Sequence, residues 1–425
     1  MASFSIPLTG LNADSTALNT IANDLANMNT TAFKSQSTNF ADLFYQQIGS
    51  TGSGDPIQVG AGVQVATNET DFTQGSFNST GNATDVALNG NGFFVVGNGD
   101  GAYEYTRAGN FSLTSEGNLV TTNGLAVMGY PAVNGIVNTN AALAGIHIPV
   151  GQVQQPQATT TLNMTVNLNA TAATGTNFPG QVTVYDSLGA PHIATVTYTQ
   201  TAPNSWTYSA ALPASDFASG ISTPVTGTVN FDSSGNLASV TTGGVTTPVG
   251  TAPGDTSSIP LSFTGLADGA ADLNLNWNLL SPSGTPTISQ VDAASAVSAT
   301  TQDGFAPGQY QSFSIGSDGT VTVAYSNGQK QNVGQLALAS VTNLQGLKMQ
   351  GNGDYVTTLA SGTASIGTSG SGGLGTLQDG ALEQSNVNIS AEFSNLIVAQ
   401  RAFEANSKAV TTFDTVTQET INMIH

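Results

Sequence analysis

The sequence predicts a mainly β protein with an α-helix at each end, in which the paired terminal helices form an axial core and nested β-rich domains are inserted between them. Apolar residues recur at helical spacing near both termini. The middle of the chain instead carries short apolar or alternating runs bounded by Gly, Asn, Asp and Ser. With 425 residues, 39% of them hydrophobic, the chain is long enough to bury several cores.

The N-terminal helix is predicted from apolar residues in a sevenfold series with a companion register between them. This spacing places the side chains along one face of a helix. Thr9 and Asn12 are suitable N-cap residues, so we expect the helix to start beside one of them. Its apolar positions, which we assign to axial packing between subunits, are Leu11, Leu18, Ile21, Leu25 and Met28.

A second sevenfold series predicts a C-terminal helix of about 34 residues, with Asn388 or Ser390 as its N-cap. Such a helix is ~51 Å long, against ~30 Å for the N-terminal one. One short partner cannot cover so long an apolar stripe, so we expect neighbouring copies to pack on it. The positions assigned to this packing are Ile389, Phe393, Leu396, Phe403, Val410, Ile421 and Ile424.

The region between the helices is predicted to be β structure with frequent tight turns. Pairs such as Asn89-Gly90, Asp318-Gly319 and Asn327-Gly328 favour type I′ hairpins, because both central residues of such a turn need positive φ. Many short strands of this kind indicate sandwiches or partly closed barrels. The Gly- and Ser-rich stretches 50–55 and 368–375 are predicted to be flexible linkers.

These elements predict four parts, each described by its place relative to the helices. They are an axial helical domain of residues 1–29 and 383–425, a connecting segment of 30–70 and 366–382, an inner β domain of 71–148 and 296–365, and an outer β domain of 149–295.

The composition excludes several classes of function. Six Lys and Arg against 26 Asp and Glu give a net charge of -20, which argues against nucleic acid and anionic membrane surfaces as partners. No apolar run reaches the ~18 residues that a membrane span needs. The chain has no Cys, which removes disulfides and Cys-ligated zinc. The N-terminus lacks a Sec-type signal, so an extracellular location requires another export route.

No constellation of residues indicates an enzyme, a cofactor site or a metal site. His147, His192 and His425 lie in unrelated contexts without ligand spacing, and we expect each to be a surface or strand residue. Residues 370–375 match a GxGxxG pattern, but no apolar strand precedes them. An extracellular β-rich adhesin therefore stays open as an alternative, although it does not explain the terminal helices.

Several motifs are similar to those of one family. Residues 25–34 (LANMNTTAFK) are similar to its N-terminal signature, with Ala32 where the family has Gly, and residues 399–408 are similar to its C-terminal signature. Residues 184–189 and 206–208 are similar to an outer domain that only its longer members have. On these motifs the chain resembles the hook proteins of the bacterial flagellar rod–hook axial family. The signature residues are Asn27, Asn29, Thr30, Phe33, Lys34, Gln400, Arg401, Asn406 and Lys408.

The resemblance implies a structural subunit that polymerises into a curved tube, a universal joint carrying motor torque from rod to filament. It implies export through the flagellum's own type III channel without a cleaved signal peptide, and hence an extracellular position. Besides other copies of itself, the implied partners are the hook cap, the distal rod and hook–filament junction proteins and the export apparatus. A distal rod protein of the same family is the nearest alternative.

Overall fold

The computed structural model describes residues 5–50, 52–97, 101–250, 252 and 255–424, with the side chains of Gln46 and Ile424 outside the described set. The chain divides into two compact units. Unit 1 comprises Met1–Val150, Ser312–Ala324 and Lys330–His425, and unit 2 comprises Gly151–Gln311 and Tyr325–Gln329. The predicted division into four parts stays a prediction.

Two long helices and a series of short strands make up the described residues, so the predicted fold class is confirmed. The helices are α1 (Ser5–Ala26) and α2 (Ile389–Ile424), and single turns of 3₁₀ helix lie at Ala214–Asp216 and Leu344–Gly346. The strands are β1 Gln36–Asp42, β2 Gln46–Ser50, β3 Pro56–Val59, β4 Val63–Thr70, β5 Phe77–Ser79, β6 Val86–Asn89, β7 Phe93–Gly97, β8 Tyr103–Thr106, β9 Ser112–Leu113, β10 Leu119–Val120, β11 Ala126–Val133, β12 Ile136–Val137, β13 Ala144–Gly145, β14 Val153–Gln154, β15 Thr161–Asn169, β16 Asn177–Tyr185, β17 Pro191–Ala202, β18 Ser205–Ala211, β19 Val225–Phe231, β20 Leu237–Thr242, β21 Val245–Pro248, β22 Ser258–Phe263, β23 Leu273–Asn278, β24 Ile288–Val291, β25 Ala296–Gln302, β26 Gly308–Ile315, β27 Thr320–Tyr325, β28 Lys330–Leu336, β29 Leu338–Ser340, β30 Lys348–Gly351, β31 Asp354–Val356, β32 Ser365–Gly367, β33 Thr376–Asp379 and β34 Ala381–Glu383.

The starts of the two helices differ in how well they were predicted. Asn388 caps α2, because its Oδ1 accepts the backbone N–H groups of Ser390 and Ala391 at 3.1 and 3.2 Å. The prediction for α1 is wrong, since the chain is already helical at Ser5 and both Thr9 and Asn12 lie inside the helix. The α2 helix has 36 residues.

In unit 1, short strands return the C-terminal part of the chain to the N-terminal part. β7 pairs with β8, β11 and β29, and its Phe93 and Val95 are buried with Tyr105 and Tyr355 in one core. β33 pairs with β6, and β34 pairs with β5. These last two pairings connect the residues that lead into α2 with strands from the first quarter of the sequence.

The stretch 368–375, predicted to be a flexible linker, is instead an ordered turn in unit 1. The Gly375 N–H donates to the Asn91 carbonyl at 2.7 Å, and the Leu374 N–H donates to the Ser371 carbonyl at 2.9 Å. Leu374 is itself buried. The glycines here serve the turn geometry and close packing rather than chain flexibility.

Unit 2 contains a β-sandwich. One sheet is an antiparallel meander of six strands in the order β16-β17-β18-β19-β20-β21. The other has the order β22-β23-β15-β24, with β25 also paired to β15. Trp277 on β23 lies edge-on to Tyr198 and Tyr208 of the first sheet, with ring centroids 6.1 and 5.6 Å apart, so the two inner faces share one core.

Candidate assembly surface and the junction beside it

Small and polar residues form the contact between α1 and α2. The buried residues of α1 include Gly10, Ala13, Thr20 and Asp24. A Cβ at Gly10 would lie 2.6 Å from Nδ2 of Asn406, so any larger residue here would force the Asn406 side chain to move. The same Asn406 Nδ2 donates to Asp14 Oδ2 at 2.8 Å.

Leu396 and Val410 of α2 are half-buried, but most of its large apolar side chains remain exposed. At about 100° per residue they lie on two flanks of the stripe that faces α1. Exposed apolar surface of this extent on a helix marks an association site. One flank carries Ile389, Phe393, Phe403 and Ile421, and the other carries Val398, Val416 and Met423, with exposed fractions between 38% and 79%.

The residues assigned to axial packing from the sequence therefore fall into two groups. Half-buried positions are Leu11, Leu18, Ile21, Leu25, Leu396 and Val410. Exposed positions are Met28, Ile389, Phe393, Phe403 and Ile421. The side chain of Ile424 lies outside the described residues.

The signature residues also differ in their surroundings. Thr30 Oγ1 donates to Asn27 Oδ1 at 3.0 Å in the turn that follows α1. Lys34 is fully buried and Asn406 is half-buried in the helix contact. Asn29, Gln400, Arg401 and Lys408 are exposed, and Phe33 is half-buried.

Lys34 and Glu383 form a buried ion pair beside the helices. Lys34 Nζ lies 2.6 Å from Glu383 Oε1, and neither side chain is exposed. Lys34 also donates to the Thr73 carbonyl at 2.7 Å. Burial lowers the pKa of Lys34, and the hydrogen bond that it donates to Glu383 opposes that shift. The pair connects the stretch after α1 with β34, the last strand before α2.

Arg107 adds a second cation to the same carboxylate. Its Nη1 lies 3.4 Å from Glu383 Oε2, and its Nη2 donates to the Gly90 carbonyl at 2.8 Å. The guanidinium carbon lies 5.6 Å from the Phe93 ring centroid. We call Lys34, Glu383 and Arg107 the junction triad. Removing one member of such a group leaves an uncompensated buried charge. The triad connects the stretch after α1 with β34 and with the residue that follows β8.

Sequence reasoning assigned Lys34 to a signature but did not assign Arg107 or Glu383 to any site. One signal was available, because the chain has only six Lys and Arg and Lys34 lies within a signature motif. A buried cation needs a partner, and Glu383 lies just before the predicted C-terminal helix.

A second exposed apolar surface lies on the β2–β3 hairpin of unit 1. Phe44 is 94% exposed and Ile48 is 63% exposed. Tyr45, Ile57 and Val59 are also exposed. From the sequence, this region was predicted only to be part of a connecting segment. The exposed apolar surface could have been suspected from the sequence, because large apolar residues lie on both sides of a Gly- and Ser-rich turn.

Asp24 of α1 is a fully buried carboxylate. Asp24 Oδ2 accepts the Gln36 N–H at 2.8 Å, whereas its Oδ1 has no partner among the described residues. Burial raises the pKa of Asp24 to about 6, the charge of Glu392 adds to the rise, and the Gln36 hydrogen bond opposes it.

Four family models match the chain and together span most of it. A model for a flagella basal body rod protein matches residues 6–34, and one for the flagellar hook protein FlgE/F/G D1 domain matches 87–171. A model for the flagellar basal body protein FlaE D2 domain matches 156–305. A model for the flagellar basal body rod FlgEFG protein C-terminal matches 378–423.

Curated relatives resemble the chain over its whole length. The flagellar hook protein FlgE of Salmonella typhimurium is 37% identical over 99% of this chain and 100% of its own. The Escherichia coli protein of the same name is 36% identical over 99% of each chain, and that of Treponema pallidum is 34% identical over 98% of each. These relatives do not favour a distal rod protein or an adhesin.

A solved structure shares the fold. The crystal structure of Helicobacter pylori flagellar hook protein FlgE2 covers 71% of this chain and 99% of its own, with a TM-score of 0.53 and 16% identity. Neither helix in the described part of the chain combines the length and the apolar character needed to cross a bilayer.

Proposed function

The chain belongs to the flagellar hook protein family, and from that membership we propose that it is a structural subunit of the bacterial flagellar hook. Copies polymerise into a curved tube that acts as a universal joint and transmits motor torque from the rod to the filament. The role is mechanical and not enzymatic. The subunit belongs to the extracellular flagellum and reaches it through the type III export channel without a cleaved signal peptide.

The observation that carries this proposal concerns helix α2. Large apolar side chains are exposed on both sides of the face with which α2 contacts α1. Two uncovered flanks on one helix pair suit contacts with two neighbouring copies. Contacts that repeat between the same two surfaces without closing build a helical filament. The predicted axial positions of both helices form this packing, and the axial helical domain of 1–29 and 383–425 lines the tube.

Torque transmission and bending need different contacts. Packed axial helices resist torsion because close-packed side chains yield little. Bending needs outer surfaces whose contacts exchange at small cost. Charged residues are only 8% of the chain, so the β surfaces meet mostly through Ser, Thr, Asn and Gln. Hydrogen bonds between such groups exchange with water at a small net free energy.

The partners follow from the same assignment. The main partner is another copy of this chain. By family resemblance, the others are the hook cap, the distal rod and hook–filament junction proteins and the type III export apparatus. The net charge of -20 disfavours nucleic acid, and the function requires no membrane insertion.

Cryo-electron microscopy of the polymer formed by the purified full chain tests the proposal. The expected reconstruction is a hollow tube in which α1 and α2 of adjacent copies pack together along the inner wall. A chain that stays monomeric at high concentration would contradict the proposal. So would a polymer in which the flanks of α2 face solvent outside the wall.

A further inference from the structure

Three side chains of unit 2 that can ligate a metal ion lie close together, and the proposed hook function assigns no role to them. They are Asp186, His192 and Asp268, and each offers one ligand atom within 4.8 Å of the others. Asp186 directly follows β16, His192 is the second residue of β17, and Asp268 lies in the loop between β22 and β23. Two of the three, Asp186 and His192, are buried.

Backbone hydrogen bonds orient the carboxylate of Asp186. Its Oδ1 accepts the N–H groups of Leu188 and Ala190 at 2.8 and 2.9 Å. The turn depends on Gly189, whose φ of 83° is accessible to glycine at little cost. With Oδ1 occupied, Oδ2 points to the centre of the cluster, 3.1 Å from Nε2 of His192.

Asp216 orients the imidazole of His192. Its Oδ2 lies 2.9 Å from Nδ1 of His192 and accepts the proton there in the neutral ring. Nε2 of His192 then faces Asp186 Oδ2 at 3.1 Å, and either a proton or a bound cation lies between these two atoms. A carboxylate that holds the distal nitrogen in this way is the usual support of a metal-ligating histidine. The alternating burial of β17 places His192 on the inward face of the strand.

Separate contacts hold the loop that carries Asp268. The Ala267 N–H donates to the Asp216 carbonyl at 2.9 Å, and the Ala271 N–H donates to Ser187 Oγ at 2.9 Å. One oxygen of Asp268, Oδ1, accepts the Ala270 N–H at 3.0 Å. The loop is thus fixed to both neighbouring segments, and the exposed Asp268 carboxylate lies beside that of Asp186.

We propose that Asp186, His192 and Asp268 bind a single divalent transition-metal cation of the Zn²⁺ type. The ligands are His192 Nε2, Asp186 Oδ2 and a carboxylate oxygen of Asp268, with water completing the shell. Nitrogen and carboxylate ligands lie ~2.0–2.2 Å from Zn²⁺, which separates neighbouring ligand atoms by about 3.0–3.5 Å. The 3.1 Å between Nε2 and Oδ2 fits this separation. A carboxylate oxygen of Asp268, within 4.8 Å of the other two ligand atoms, completes the set.

The site would cross-link the β16–β17 hairpin with the loop between β22 and β23, and so stabilise unit 2 when the cation binds. Imidazole with two carboxylates suits zinc-type cations better than Ca²⁺, which takes six to eight oxygen ligands. This site was not predicted from the sequence, because Asp268 lies far along the chain from the Asp186–His192 pair.

Zinc titration of the metal-free full-length chain tests the proposal, with isothermal calorimetry and thermal unfolding as readouts. We expect one saturable site per chain and a rise in the unfolding temperature of about 4 °C or more at saturating Zn²⁺. Asp268→Asn should weaken binding about tenfold or more without changing the unfolding temperature of the metal-free chain. His192→Gln should abolish binding.

Asp272→Asn is the matched control, since Asp272 is also exposed in the same loop but lies outside the cluster. It should bind Zn²⁺ like the wild type. The proposal is overturned if the wild type shows no saturable binding at about 1 mM Zn²⁺. Equal affinities for wild type and Asp268→Asn also overturn it, because the cation then binds elsewhere or the cluster is only a hydrogen-bonded ion pair.

Discussion

The terminal helix pair and unit 2 place their largest apolar side chains in opposite ways. In unit 2, Trp206 and Trp277 are fully buried between two sheets. In the helix pair, Phe393 and Val398 are exposed by 53% and 68%, while the helix contact contains small residues such as Gly10. Both regions have a regular apolar pattern in sequence. Unit 2 buries its large apolar side chains within its own chain, whereas α2 leaves many of them exposed.

The difference separates two sources of stability. Burying a large apolar side chain contributes ~1.5–3 kcal/mol relative to leaving it in water. Unit 2 gains this within one molecule. The helix pair gains it only when another surface covers its flanks, which couples the order of this region to assembly. Five predictions test this contrast, from the largest effect to the smallest.

Phe403→Asp should abolish polymerisation while leaving unit 2 folded. The substitution places a charge in the apolar flank of α2, where burial against a neighbour would leave it unpaired. Sedimentation and electron microscopy measure the polymer, and near-UV circular dichroism follows the tryptophans of unit 2. Thr415→Asp, at an exposed polar position of α2 on the face opposite the α1 contact, is the control and should polymerise. Normal tubes from Phe403→Asp would mean that this flank is not a subunit contact.

Trp277→Ala should destabilise unit 2 by about 3–5 kcal/mol, because it removes one of the two largest side chains between the two sheets. Urea unfolding of the full chain measures the change in the free energy of unfolding. Leu188→Ala, at a position 57% exposed in the same unit, should change it by less than about 0.5 kcal/mol. A small loss of unfolding free energy for Trp277→Ala would show that unit 2 does not gain its stability from apolar side chains buried within one chain.

Glu383→Gln should destabilise unit 1 by about 3 kcal/mol, because Lys34 and Arg107 then lose their shared counter-charge in a buried site. Urea unfolding followed by a probe in unit 1 measures this loss. Glu404→Gln, on the exposed surface of α2, is the control and should have little effect. If Glu383→Gln leaves the free energy of unfolding unchanged, the junction triad does not stabilise unit 1.

Asp24→Asn should stabilise the helix pair at pH 7 by on the order of 1 kcal/mol and have little effect near pH 4. The pKa of Asp24 is about 6 in the folded chain against 3.8 without burial. Between these values the folded chain keeps a proton that the unfolded chain has released, so stability falls as the pH rises from about 4 to 6. Thermal unfolding across this range should show that the variant lacks the fall. Asp414→Asn, an exposed position of α2, should retain it.

Ala32→Gly should stabilise unit 1 slightly, by about 0.5 kcal/mol. Ala32 has a φ of 54°, which a residue with a Cβ adopts at a cost. It keeps this conformation where its N–H donates to the Glu383 carbonyl at 2.8 Å, next to the junction triad. Chemical unfolding measures the gain, and Ala391→Gly in the first turn of α2 should instead lose stability. A loss for Ala32→Gly would mean that the buried methyl group outweighs the strain.

Local patterns predicted the parts of the fold that depend on neighbouring residues. The sevenfold spacing predicted both helices, and Asn388 was correctly assigned as a possible cap because its partners are two and three residues away. The start of α1 was missed, since several polar residues near it are equally suitable caps. The linker at 368–375 was wrong because glycine-rich composition is common to flexible chains and to tight, packed turns.

The sequence by itself determined the fold class, the terminal helices and the family resemblance, because spacing and motifs record contacts between residues that are close along the chain. Only the tertiary structure decided which helix faces meet and which charges are buried. Lys34 and Glu383 are 349 positions apart, and Arg107 and Glu383 are 276 positions apart. The spacing of apolar residues along the chain cannot predict pairs that are so far apart in sequence. They form because a buried charge needs a partner, and the fold supplies that partner from a distant strand.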